Sequence, residues 1–143
     1  MRFMLLVKAT DDSEAGILPS KELISAMGKF NEEMVKAGVM LAGEGLQASS
    51  KGTRVTFNKG KPTVTDGPFA ETKELVAGFW LIQAKSREEA IEWASRAPFQ
   101  EGDVVEVRQI FETADFPSDI LPPEETAREE ALRDQLQKNA AKR

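Results

Sequence analysis

The sequence predicts an α+β domain of the ferredoxin-like kind, with two helices on one face of an antiparallel sheet. Three observations predict it. A strand–helix–strand pattern occurs twice, in residues 3–46 and again in residues 75–111. A short β-hairpin stands between the two halves. The chain has 143 residues, 41% of them hydrophobic, which suits one domain with a substantial core.

Phe3 to Lys8 is a compact apolar run closed by Asp11, Asp12 and Gly16, as in a central strand buried on both faces. Ser20 is placed to cap the next helix, with Glu22 in its first turn. Leu23, Met27, Phe30 and Met34 fall on one face of that helix. Gly38 stops it in the left-handed conformation. Val39 to Leu46 reads as a strand whose Gly43 and Gly45 indicate a bulge or a close neighbour and leave the Glu44 carboxylate reachable.

Arg54–Phe57 and Pro62–Thr65 flank Asn58-Lys59-Gly60-Lys61 and read as a hairpin. Val55 and Phe57 share one face, Arg54 and Thr56 the other. Asp66-Gly67-Pro68-Phe69 ends it in a sharp turn. Leu75 to Ala84 is the next strand, centred on Phe79-Trp80-Leu81-Ile82. Ser86-x-x-Glu89 is a capping box for a helix that ends at Pro98. In the last strand, Val104 to Phe111, Val105, Val107 and Gln109 face one way, and Val104, Glu106, Arg108 and Ile110 the other. The α+β domain is thus expected over residues 1–111. Residues 112–143 are expected to form a linker containing Pro117, Pro122 and Pro123, then a helical extension. Only Leu132 and Leu136 make an apolar pair there, so two roles stay open: a frayed tail, or a cover over its own domain or a partner.

Two helices cover one sheet face, yet the strands at Phe3–Val7 and Phe79–Ile82 carry large apolar groups on both. Face-to-face pairing of two copies about a twofold axis is the expected solution, with Trp80 or Phe79 near the interface.

Composition narrows the chemistry. There is no cysteine, histidine or tyrosine. Disulfides, thiolate or imidazole catalysis, and thiolate or imidazole metal sites are therefore excluded. No metal and no cofactor is expected. The net charge is -5, with sixteen acids against fourteen bases up to Phe111 and eight against five beyond it. A basic stripe is missing, so a nucleic-acid partner is not expected. No apolar run approaches the roughly 20 residues that span a bilayer, so no membrane partner is expected. The opening MRFMLLVKATDD reads as a first strand rather than a signal peptide, and a cytoplasmic location is expected.

The candidate functional side chains each have a plainer reading. Asp66 is a candidate general base or ligand-positioning group, or an Asx side chain closing the turn. Glu44 or Glu71 is a candidate neighbour to raise its pKa. Lys73 suits an anion, or pairs with Glu71 or Glu74. Arg54 and Arg108 suit a carboxylate, or make interface or cross-strand ion pairs. Trp80 floors an aromatic pocket or packs the core, and Phe69 caps a cleft or anchors the loop. The Gly-Glu-Gly at 43–45 lacks the pattern of a phosphate loop.

Five segments carry a family likeness: MRFMLLVKA, AGVMLAGEGLQ at 37–47, VTDGPFAETKELVAGFWLIQA at 64–84, EEAIEWASRAP at 88–98 and VVEVRQI at 104–110. On these the chain resembles the YCII-related, DGPF-domain family over about residues 1–111. The resemblance implies a dimeric α+β barrel with a cleft between each protomer's sheet and helices. It places the family's Asp-Gly-Pro-Phe on Asp66–Phe69 and its Glu-Thr-Lys-Glu on Glu71–Glu74, which adds Thr72 to the candidate ligand contacts. The His–Asp pair proposed as an active site in other members has no counterpart in a chain without histidine. Chlorine removal from a chlorinated hydroxyquinol occurs in the superfamily, and some DGPF domains are linked by gene context to sigma factors. Neither is carried over to this chain. Two functions remain. One is a small-molecule-binding or regulatory protein. The other is a cofactor-independent enzyme (lyase, isomerase or dehalogenase-like) that uses carboxylate and Arg/Lys groups on a small organic acid or aromatic.

Overall fold

The structure, a computed structural model, describes residues 1–142, apart from the side chain of Lys73. The chain divides into two units, Met1–Ile110 and Phe111–Arg143. The first runs β1 (Arg2–Lys8), α1 (Asp11–Glu14), α2 (Lys21–Lys36), β2 (Met40–Gly45), β3 (Thr53–Phe57), β4 (Pro62–Asp66), β5 (Val76–Gln83), α3 (Arg87–Ser95) and β6 (Val105–Gln109). Among the described residues, β2, β5, β1 and β6 form, in that order, a four-stranded antiparallel sheet. This is the ferredoxin-like α+β arrangement the sequence predicts.

The hairpin does not join this sheet. β3 and β4 form a separate two-stranded sheet, paired from Thr53↔Asp66 to Phe57↔Pro62. A 3₁₀ turn at Ser49–Lys51 interrupts the extended path from β2 and sends the hairpin off by itself.

Burial in the main sheet follows the pleat. Phe3 and Leu5 of β1, and Trp80 and Ile82 of β5, are buried with Phe30 and Met34 of α2 and Ala90 and Trp93 of α3. Both helices therefore cover one face. Met4, Leu6, Phe79 and Leu81 point to the other face and are half-buried. Trp80 thus lies under the helices, and only Phe79 of the two expected interface aromatics faces away from them.

The helix ends obey their sequence signals. Ser20 accepts from the Leu23 amide, Ala37 closes α2, and Gly38 follows with φ +71°. Ser86 accepts from the Glu89 amide, but the Glu89 carboxylate accepts from the Lys85 amide rather than from Ser86. The residues that close the first strand, Asp11–Glu14, form α1. It is one helical turn capped reciprocally by Thr10 and Ser13. In β2 a register shift falls between Met40 and Ala42. A Cβ on Gly43 would lie 2.7 Å from Trp80 Cδ1, so the close neighbour expected there is the indole. Gly45 has open space instead.

In the second unit a 3₁₀ turn at Thr113–Asp115 precedes α4 (Pro123–Ala141), which starts on a proline. Phe111 and Phe116 meet with ring centroids 5.1 Å apart. Leu132 and Leu136 are exposed. Among the described residues no helix is long and apolar enough to cross a membrane.

Candidate functional site

The expected site residues fall into two separate networks. The first surrounds the Asp-Gly-Pro-Phe loop. A Cβ on Gly67 would sit 1.8 Å from the Ser49 carbonyl oxygen, so the loop packs directly on the Ser49–Gly52 turn. The Gly67 amide donates to the Gly52 carbonyl at 2.9 Å, and the Phe69 amide donates to Ser49 Oγ at 3.0 Å. Ser49 Oγ donates in turn to Glu14 Oε1, while the Ser49 amide donates to Glu14 Oε2 at 2.8 Å. The Ser49 hydroxyl first, then its amide, hold the Glu14 carboxyl below the ordinary glutamate range. One carboxylate thus ties α1, the 3₁₀ turn and the Phe69 amide together.

Asp66 stands at the end of β4, exposed, and accepts from Thr53 Oγ1 at 3.1 Å. This is a correction to the Asx-turn reading: the side chain holds its cross-strand partner, and the Gly67 amide is taken by Gly52. The Arg54 guanidinium lies over the Phe69 ring, 3.8 Å from its centroid. Phe69 therefore anchors the hairpin base through a cation–π contact. Thr72 is half-buried in a 3₁₀ turn, its carbonyl accepting from the Leu75 amide. The Lys73 side chain lies outside the described residues.

The second network is on the sheet face away from the helices. Register places Ala42, Leu81, Met4 and Arg108 in one row across the strands. Glu44, Phe79, Leu6 and Glu106 form the next. The two central strands thus carry an apolar band, with charges on the edge strands. At the β6 edge Glu106 meets Lys8 at 3.3 Å and Arg108 at 3.1 Å. Arg108 pairs along its own strand rather than across strands. Its hydrogen bond, followed by that of Lys8, holds the Glu106 carboxyl below the ordinary range. Glu106 thus faces two cations, Lys8 of β1 and Arg108 of its own strand. Glu44 is exposed on the opposite edge. Trp80 joins neither network: its indole N–H donates to Asn31 Oδ1 at 2.9 Å, and Phe30 packs edge-on to it at 5.3 Å.

Sequence reasoning missed Glu14, Ser49, Lys8 and Glu106. Glu14 and Ser49 are 35 residues apart, and no local signal joins them. Glu106 was placed on the same face as Arg108 by alternation, but Lys8 reaches it only because β1 and β6 are neighbours.

A pocket with a volume of about 370 Å³ lies in the second unit. Phe111, Phe116, Ile120, Leu121, Glu112 and Glu129 are among the residues around it. None of the expected site residues lines it. Among the described residues no cluster of three carboxylates could hold a metal ion.

Comparison with known proteins gives two findings. The family model described as the YCII-related domain matches residues 1–114. A protein of Rhizobium meliloti (strain 1021), titled "Uncharacterized protein R00369", is 38% identical over 68 residues, covering 48% of this chain. The matched stretch spans 55% of that relative's own length.

Proposed function

The chain belongs to the YCII-related domain family, and on that premise we propose a homodimeric small-molecule-binding protein that holds its ligand in a cleft of a dimeric α+β barrel. The observation that carries the reading is the sheet face opposite the helices. Met4, Leu6, Phe79 and Leu81 lie there side by side, outside the core cluster that the helices close. An apolar centre with charged edges is the anatomy of a protein interface. Two such faces pack about 10 Å apart as a sandwich. The ligand is a small organic acid with an apolar body. It lies at the β6 margin of the band, where Lys8 and Arg108 offer two cations to its carboxylate.

The two carboxylates that organise these networks are suited to positioning rather than to proton transfer. A general base working near neutral pH needs a raised pKa. Glu14 and Glu106 are both held low by their partners, which suits carboxylates that orient cations and loops.

Titration calorimetry with benzoate, salicylate and their hydroxylated relatives tests the proposal. Saturable binding to the wild-type protein is expected, weaker by about tenfold or more in Arg108→Gln, as the loss of one charge-assisted hydrogen bond implies. Absence of saturable binding across the series, or equal affinity in the variant, contradicts it. Product appearing in the same mixtures by proton NMR favours the enzymatic alternative.

A further inference from the structure

The β3–β4 hairpin is amphipathic in the opposite sense to that of a monomer's surface ribbon. The pairs Val55↔Val64 and Phe57↔Pro62 put four apolar side chains on one face, which ends at its base in the polar pair Thr53↔Asp66. Arg54↔Thr65 and Thr56↔Thr63 put polar ones on the other. The polar face is the one tied to its own protomer, through Arg54 stacked on Phe69. The apolar face looks outward. Phe57 is 83% exposed, Val64 64% and Val55 50%. Every residue of both strands is exposed, and each strand packs chiefly on the other. A two-stranded ribbon in that state is marginal in water without a surface to lie on.

We propose that this hairpin is an arm that lays its Val55–Phe57–Val64 face on a second copy of the chain. The inference rests on the homodimer reading above and extends it to a second contact. Interface area selects the occupant. Strands of 6, 8, 7 and 5 residues, at about 3.3 Å per residue and about 4.8 Å apart, make a flat sheet footprint on the order of 400 Å². A stable interface takes about 800 Å² from each partner. The sheet's flat footprint is smaller than that, and the arm adds apolar surface from the same unit. In a twofold dimer the contact occurs twice, since each copy's arm reaches the other.

Sedimentation velocity over a concentration series tests the arm with three proteins: wild type, V55T/F57S/V64T and Leu81→Glu. The arm substitutions touch only exposed side chains, and circular dichroism checks that each variant folds. The expected result is a wild-type dimer whose dissociation constant rises about 100-fold or more in the arm variant, as for loss of an interface hot spot. A wild-type dimer broken by Leu81→Glu but unchanged in the arm variant overturns the arm and leaves the dimer reading intact. A wild-type monomer at all concentrations overturns both. The chain has no cysteine, so Phe57→Cys gives a second readout in an otherwise unaltered arm. Its alkylation by a maleimide should slow as the protein is concentrated through the dimerisation range. An alkylation rate independent of concentration overturns the arm even if the triple variant fails to fold.

Discussion

Gly67 and Glu14 hold the loop network from two sides. The Gly67 prediction follows from space alone. A methyl group there would enter the Ser49 carbonyl oxygen, and backbone on both sides leaves no flexible neighbour to yield. Gly67→Ala should destabilise the fold by about 3 kcal/mol, the upper end for overpacking, measured by urea denaturation. Glu14 makes a pH prediction. Its pKa is lowered by Ser49 in the folded protein, so its contribution is full above the ordinary glutamate value. That contribution is lost as pH falls through the lowered folded value. Glu14→Gln should melt below wild type at neutral pH, with the gap closing on acidification. A gap that stays constant with pH contradicts the Glu14–Ser49 contact. Asp66-Gly67 was legible as a turn because Asp and Gly announce one locally. The Glu14–Ser49 contact was not legible, because α1 is too short to show a period and its partner is 35 residues away.

Helix caps, strand limits and the hairpin were legible because their chemistry is local. Ser20, Ser86, Gly38 and the alternation in β6 each act within four residues of the feature they specify. Ser86→Ala should cost about 1 kcal/mol by removing the acceptor of the Glu89 amide, read from the same denaturation curves. What the sequence could not supply was where each element's faces point. The apolar run in β5 gave no sign that Trp80 turns toward α2 and Phe79 away from it. Strand order decides that, together with Gly43, which leaves room for the indole. Gly43→Ala should therefore cost about 1–3 kcal/mol and alter the near-ultraviolet signal or fluorescence of Trp80. An unchanged tryptophan signal at unchanged stability contradicts the close approach. The hairpin was read correctly as two faces, but its detachment from the main sheet was not, because a 3₁₀ turn of Ser-Ser-Lys has no strong sequence signature.

At the scale of the molecule, one asymmetry organises the account. The helices close one face of the four-stranded sheet over Phe3, Leu5, Trp80 and Ile82, and the opposite face presents Met4, Leu6, Phe79 and Leu81. The sequence carried this motive for dimerisation, since β1 and β5 are apolar on both sides and only two long helices serve them. It could not carry the ligand, because Lys8, Glu106 and Arg108 meet only once β1 and β6 are paired. If the open face is an interface, the binding cleft is built by two chains, and ligand affinity and dimerisation rise and fall together by mass action. Light scattering coupled to size exclusion, at low micromolar protein, is the direct measurement. A homodimer has a mass twice that of the 15.8 kDa chain, and that is the expected result. A single folded species at 15.8 kDa contradicts it.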